Sequence, residues 1–316
     1  MSKCKVTTTK QTIISKEEYK KYYDIVTRGK FLTSIQDTLK EIGDQCEMVV
    51  YQSTFELPLK KNVFGLYIVS VYINGKKLRF LLDTGAQISG ITQKCFTHLQ
   101  LQAHQCLAIG SIGGTERKLP TTIVDLQFGG CMFHRKGMIV LDDHNFGLRI
   151  GNINILGCDG ILGWDILSLV DFEIDDISKI LRVSKNRLRL NNPNMIVGGF
   201  PLIYAKDCHG KVLIFGFDSG SKVSWIHMPF AQRNGWEKEK EVHMMGFGVH
   251  GLEKMCVEMV KDVEVYVDRA QIQLSHVISG RCELFDTFTY DGVFGNEICK
   301  GRRIRFVNSR AMVLLV

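Results

Sequence analysis

Several familiar signatures are missing from these 316 residues. The 10 cysteines include no CxxC pair, which excludes a zinc ribbon or a thioredoxin-type motif and fits reduced thiols packed as small hydrophobes. No HExxH stands among the 9 histidines, so neither a metal site nor a cofactor is expected. The formal charge of +7 comes from 40 basic against 33 acidic residues spread along the chain. With no block of about five or six like charges, no nucleic-acid partner is expected. No uninterrupted run of about 18 apolar residues is present, so no membrane span is expected. The opening MSKCKVTTTK lacks the apolar stretch of a secretory signal, which makes the cytoplasm the expected location. Proline is scarce, 5 residues against 30 glycines, while hydrophobic residues make up 45% and charged residues 23%, the composition of a folded chain rather than a disordered one.

What is present is an internal repeat. VYINGKKLRFLLDTGA passes through Asn74-Gly75 into an apolar strand ending at Asp83-Thr84-Gly85. IYAKDCHGKVLIFGFDSGS passes through His209-Gly210 into another, ending at Asp218-Ser219-Gly220, at an offset of 135 residues (83 to 218). Asp159-Gly160-Ile161-Leu162-Gly163 is matched by Asp291-Gly292-Val293-Phe294-Gly295, an offset of 132 (159 to 291). Between them, Gly110-Ser111-Ile112-Gly113-Gly114 is answered by Gly246-Phe247-Gly248-Val249-His250-Gly251. Within each half the apolar residues fall in short β-branched runs or alternations bounded by Gly, Asn and Asp, which predicts many short strands. The seam is expected at Asn191-Asn192-Pro193-Asn194.

The first residues differ. Ser15 with Glu18 forms a capping box ahead of Tyr19, Tyr22, Tyr23 and Val26 at helical spacing, closed by Gly29. Leu32, Ile35, Leu39 and Ile42 mark a second helix, stopped by Gly43. Helices this short must pack on something. The candidates are the first half of the repeat, a second protein, or the cleft between the halves, where Lys60 or Lys61 would meet acidic groups. Packing on the first half is the most economical.

Two halves that each end an apolar strand at Asp-Thr/Ser-Gly and each carry a later apolar-Gly element resemble the aspartic peptidases over about residues 60–316. DTGA at 83–86 and GILGWDIL at 160–167 look like the retropepsin branch, whereas two halves in one chain are similar to pepsin. The resemblance implies a mainly β, bilobal enzyme of two homologous β-barrel-like lobes at 58–192 and 193–316, with an N-terminal helical extension at 1–57. It implies an aspartic endopeptidase in which Asp83 and Asp218 share one proton and activate water, since two carboxylates about 3 Å apart cannot both ionise. Thr84, Gly85, Ser219, Gly220 and Ser221 would support the active-site loops, with the Thr84 and Ser219 hydroxyls bonding across the interface. In the pepsin-like pattern the Ser221 hydroxyl would bond a carboxylate oxygen, favouring ionised Asp218 and protonated Asp83. Ile112, Gly113 and Gly114, with Phe247, Gly248 and Val249, would be flap residues over a peptide or protein substrate. Gly163 and Gly295 would support the loops, and the protein would act as a monomer.

Other readings of these residues are local. Asp159 and Asp291 read as turn or capping carboxylates, Trp164 and Trp225 as core or cleft-wall aromatics, and His250 as a turn residue. GFGVHG at 246–251 mimics a dinucleotide fingerprint, but alternating Val263, Val265 and Val267 follow it instead of a helix. The alternatives to a single-chain peptidase are a silent peptide-binding module of the same fold, marked by loss of one Asp, and pairing of two first lobes from separate chains.

Overall fold

The computed structural model describes residues 3–8, 15–27, 34–110, 116–143, 146, 149–150, 153–154, 156–184, 193–248, 251–280 and 290–316. The chain is mainly β, and its described residues form sheets of eleven, nine, five and two strands. In the first half, strands Tyr67–Ile73 and Lys76–Leu82 form an antiparallel hairpin. Asn74 and Gly75 both take positive φ at its turn, the backbone that Asn-Gly supplies at least cost. Gly160–Leu162 then lies parallel to the second of these strands, with Gly160 opposite Phe80 and Leu162 opposite Leu82. The second half repeats the arrangement: Pro201–Lys206 pairs with Val212–Asp218, and Gly292–Gly295 runs parallel to the latter, Gly292 opposite Phe215. A Cβ on Gly160 would collide with the carbonyl of Gly90, so this inserted strand needs a glycine where it enters the sheet.

The halves are joined beneath by the five-stranded sheet, in the order Met312–Leu315, Arg303–Val307, Phe172–Asp175, Ile180–Ser184, Thr54–Pro58. Its strands come from the end of the second half, the end of the first half and the N-terminal segment. The Phe172 and Phe306 rings stack across it at 4.8 Å, and Phe217 meets Phe306 at 5.0 Å. One apolar core therefore runs from Phe55, Phe80 and Trp164 through to Phe215, Phe294 and Phe306. Of the cysteines, Cys95, Cys131, Cys158 and Cys299 are buried in the manner of small hydrophobes, whereas Cys106, Cys208 and Cys256 are exposed.

The N-terminal segment departs from the sequence reading in two ways. It carries strands as well as helices: Lys3–Thr8 pairs with Ala270–Ser275 at the edge of the eleven-stranded sheet, and Glu47–Val50 pairs with Cys131–Leu141 of the nine-stranded one. In the first, Cys4 and Val6 alternate with Lys3 and Lys5 and pack against the core, whereas Glu47–Val50 shows no apolar alternation; each borrows its partner from a distant edge. The segment also packs on both halves, not on the first alone. Helix Lys16–Thr27 begins at the expected capping box, in which the Ser15 N–H donates to Glu18 at 2.9 Å and the Glu18 N–H to the Ser15 hydroxyl at 3.1 Å. Tyr22 is buried against Tyr204, edge-on at 5.3 Å, together with Ile196, Phe200 and Leu202 of the second half. Tyr19 donates its hydroxyl to the Met195 carbonyl at 3.0 Å, and Glu18 pairs with Lys206 at 3.2 Å. After helix Ser34–Glu41, Ile42 and Leu39 pack instead against Ile139 and Leu141 of the first half. Leu32 and Gly29, and the side chains of Val26 and Ile35, lie outside the described residues.

Lys61 does not meet the acidic cleft either. It pairs with Asp176 at 2.6 Å and lies over the Tyr67 ring at 4.9 Å.

Truncation of a buried aromatic removes its transfer free energy and leaves a cavity. Tyr22→Ala is expected to lower unfolding stability by about 3 kcal/mol in urea titration, and a loss below about 1 kcal/mol would show that the helix is not anchored there.

Candidate active site

Each half ends its apolar strand in a tight loop whose aspartate turns back on its own backbone. Asp83 Oδ1 accepts the N–H of Gly85 at 2.9 Å and of Ala86 at 3.0 Å. Asp218 Oδ1 accepts those of Gly220 at 2.8 Å and Ser221 at 3.1 Å. The two loops then exchange hydrogen bonds. The Thr84 N–H donates to the Ser219 hydroxyl oxygen and the Ser219 N–H to that of Thr84, both at 3.0 Å. The Thr84 hydroxyl in turn donates to the Phe217 carbonyl at 2.8 Å, and the Ser219 hydroxyl to the Leu82 carbonyl at 2.7 Å. Both side chains are 0% exposed, so water does not compete for these bonds.

This exchange presses each aspartate onto the other loop. A Cβ on Gly85 would lie 2.5 Å from Asp218 Cγ, and one on Gly220 would lie 2.5 Å from Asp83 Cγ. Each carboxyl is thereby brought beside the other. Asp83 and Asp218 are both half-buried. Burial pushes both above the usual carboxylate range, and for Asp218 the Asp83 charge adds to burial; the backbone N–H donors offset part of the rise. One proton shared by the pair is the electrostatically favoured state.

The Ser221 hydroxyl does not take the part expected of it. It donates to the Val223 carbonyl at 2.9 Å, and only the Ser221 backbone N–H reaches Asp218. Ala86 supplies the matching N–H to Asp83, so the two carboxyls have equivalent donor sets. The expected preference for ionised Asp218 loses its basis.

A second layer holds the loops, built from equivalent residues in both halves. The Gly163 N–H donates to the Ser89 hydroxyl oxygen at 2.9 Å, and the Gly295 N–H to that of Ser224 at 3.0 Å. Asp165 accepts the Ser89 N–H at 3.0 Å and hydroxyl at 2.6 Å, and Glu297 accepts the Ser224 N–H at 2.6 Å. The Trp164 N–H caps the Ala86 carbonyl at 2.7 Å, and the Asn296 N–H caps that of Ser221 at 2.8 Å. Sequence reasoning missed Ser89, Ser224, Asp165 and Glu297. The available signal was the repeat itself, since 89 to 224 is the offset of 135 and 165 to 297 the offset of 132. Asp159 and Asp291 hold the incoming strands, each accepting a backbone N–H at 2.9 Å, from Arg79 and Ile214 respectively.

Of the residues read as flaps, Ile112, Gly113, Gly114 and Val249 lie outside the described residues, as does His250. Their flanks are hairpins: Cys106–Gly110 pairs with Glu116–Phe128, and Lys238–Gly248, which contains Phe247 and Gly248, pairs with Gly251–Val260. The GFGVHG segment thus joins two antiparallel strands, which is not the strand-to-helix turn a dinucleotide fingerprint requires. Trp164 is buried in the core and donates its indole N–H to the Gly198 carbonyl at 2.8 Å, while Trp225 packs against Tyr290 at 5.6 Å.

Residues 69–168 match the family described as gag-polyprotein putative aspartyl protease, a segment that contains Asp83 and the first apolar-Gly element. No curated protein matches the sequence. Among solved structures, the chain is similar to conglutin gamma, a basic 7S globulin from lupine seeds, at 11% identity, covering 83% of this chain and 94% of that one with a TM-score of 0.46. It is similar to basic 7S globulin from soybean at 9% identity, covering 83% and 96% with a TM-score of 0.47. A retropepsin-like aspartic protease from Rickettsia conorii aligns at 18% identity over 44% of this chain and 92% of its own, with a TM-score of 0.29.

Two outcomes follow from the loop geometry. Gly220→Ala places a methyl group against Asp83, and any hydrolysis carried out at this site should fall by at least about 10²-fold with circular dichroism unchanged; near-normal turnover would mean the loops are not in contact. Because the Ser221 hydroxyl is committed to Val223, Ser221→Ala should leave the acidic limb of the pH–rate profile in place. An upward shift in that variant would show that the hydroxyl stabilises the ionised pair after all.

Proposed function

We propose that the chain is a single-chain aspartic endopeptidase in which lobes 58–192 and 193–316 contribute one carboxyl each and residues 1–57 brace them. The observation that supports this most directly is the approach of Asp83 and Asp218, each packed on the other loop's glycine. A water between them would lose a proton to the ionised carboxylate as its oxygen adds to the peptide carbonyl carbon. The protonated carboxyl would donate to the carbonyl oxygen. Collapse of the resulting diol breaks the C–N bond, with the proton passing to the amine nitrogen. Thr84, Gly85, Ser219, Gly220 and Ser221 position the pair. The segments that carry Ile112, Gly113 and Gly114 and Phe247, Gly248 and Val249 would cover an extended peptide or protein substrate. Because one chain supplies both aspartates, a monomer suffices. A silent binding module is the weaker reading, since neither aspartate is lost.

The test is incubation of the purified protein with a peptide library from about pH 4 to 7.5, alongside Asp83→Asn and Asp218→Asn. A neutral amide cannot share the proton, so each substitution should reduce cleavage by at least about 10²–10⁴-fold without unfolding the protein. Turnover close to the parent in either variant would remove that residue from the mechanism. Sedimentation of the active species should give a monomer.

A further inference from the structure

Lys136 lies in the strand Cys131–Leu141, at a break in its pairing with Glu116–Phe128: the register shifts between Phe133 and Lys136, and Arg135 between them takes φ +51°. A bulge of this kind re-aims the side chain that follows it. It turns Lys136 inward, where the residue is 1% exposed although it carries an ammonium group. Such a charge is tolerated only with close partners. Two are present, Asp165 at 2.9 Å and Asp44, which also hydrogen-bonds the lysine Nζ. Burial alone would favour the neutral amine, but the two carboxylates outweigh it and raise the lysine pKa.

The partners belong to different parts of the chain. Asp165 is the carboxylate that holds Ser89, and through Ser89 the Gly163 N–H, in the layer behind the Asp83 loop. Asp44 comes from the N-terminal segment and is itself fixed there: its N–H donates to the Leu39 carbonyl at 2.9 Å, and its Oδ1 accepts the Cys46 N–H at 2.7 Å. Ile42, two residues earlier, packs so closely over Gly137 that a Cβ there would lie 2.8 Å from Ile42 Cδ1. The segment is thus locked onto the bulge beside Lys136. A continuous chain of contacts runs Asp44, Lys136, Asp165, Ser89, and ends at the loop whose Ala86 N–H donates to Asp83.

We infer that Asp44 is a positioning residue for the Asp83 loop, so that the N-terminal segment completes the active-site framework of the first half through a buried Asp44–Lys136–Asp165 bridge. The role in hydrolysis rests on the proposed catalytic part of Asp83, whereas the mechanical coupling does not. Without the Asp44 carboxylate, Lys136 keeps one counter-charge in a dry site and is drawn toward water. Asp165 then loses its cation, and its hold on Ser89 slackens.

The experiment is hydrogen–deuterium exchange, read by mass spectrometry, on the full chain and its Asp44→Ala, Asp44→Asn and Asp44→Glu variants. Asp44→Ala should raise exchange in segments 83–90 and 160–168 by about tenfold or more. Segments 172–184 and 218–226 should be unchanged, and Asp44→Glu, which keeps the charge, should retain most of the protection. Should the alanine variant fail to fold, Asp44→Asn, which preserves shape and removes charge, is read in the same way. Parent-like exchange at 83–90 in a folded variant would overturn the proposal, as would a rise of equal size across the whole first half. In the peptide assay Asp44→Ala and Asp44→Asn should lose kcat with little change in KM, and Asp44→Glu should keep most of it. Altered exchange in a protein that cleaves no peptide would reject the peptidase reading and leave the bridge standing; normal exchange in an active protein would do the reverse.

Discussion

The site depends on one contact, the reciprocal bonding of Thr84 and Ser219. Each residue both accepts a backbone N–H from the opposite loop and donates its hydroxyl to a strand carbonyl of the opposite half. A hydroxyl is the smallest side chain able to accept and donate at once, so Thr or Ser fits here where Val or Ala would leave buried backbone groups without partners. The bonds draw the loops together until Gly85 and Gly220 lie against the opposing carboxyls. Two acids buried at this separation are unfavourable as separate charges, and their joint titration is a consequence of that placement.

Holding two carboxyls so close calls for rigid support, and the support is duplicated. Ser89 with Asp165, and Ser224 with Glu297, occupy equivalent places behind their loops, and Asp159 and Asp291 tie down the strands that lead to them. Among the described residues the duplication ends at the outer layer. In the first half the supporting acid is neutralised by Lys136, and the lysine by an aspartate from outside the repeat. The N-terminal segment has a second anchor on the other half, through Tyr19 and Tyr22, and it also contributes Thr54–Pro58 to the sheet beneath both. A segment outside the repeat thereby becomes a brace across it.

Much of this was legible in the order of residues, because it is local chemistry. Asn74-Gly75 specifies a tight hairpin whatever surrounds it, Ser15 and Glu18 are three residues apart and cap one helix end, and Asp-Thr/Ser-Gly closes a loop on its own N–H groups. The repeat added the one long-range statement available from a single chain: two segments with the same spacing fold alike, so Asp83 and Asp218 occupy equivalent places. It also carried Ser89 and Ser224 at the same offset, unread because serine by itself marks no chemistry.

Tertiary structure decided the partners. Nothing near Lys136 in sequence distinguishes it from the solvated lysines around it; its burial follows from the bulge at Arg135 and from Asp44 and Asp165, which stand 92 and 29 residues away (44 and 165 to 136). Ser221 could have turned its hydroxyl to Asp218, and the loop geometry gave it the carbonyl of Val223 instead. Lys3–Thr8 is a strand only because the edge at Ala270–Ser275 is there to receive it. Each of these outcomes is a competition among groups separated by long stretches of chain. Backbone and side-chain preferences act over a few residues, so the sequence determined the loops, turns and caps, and the packing of the whole chain chose which distant groups would meet.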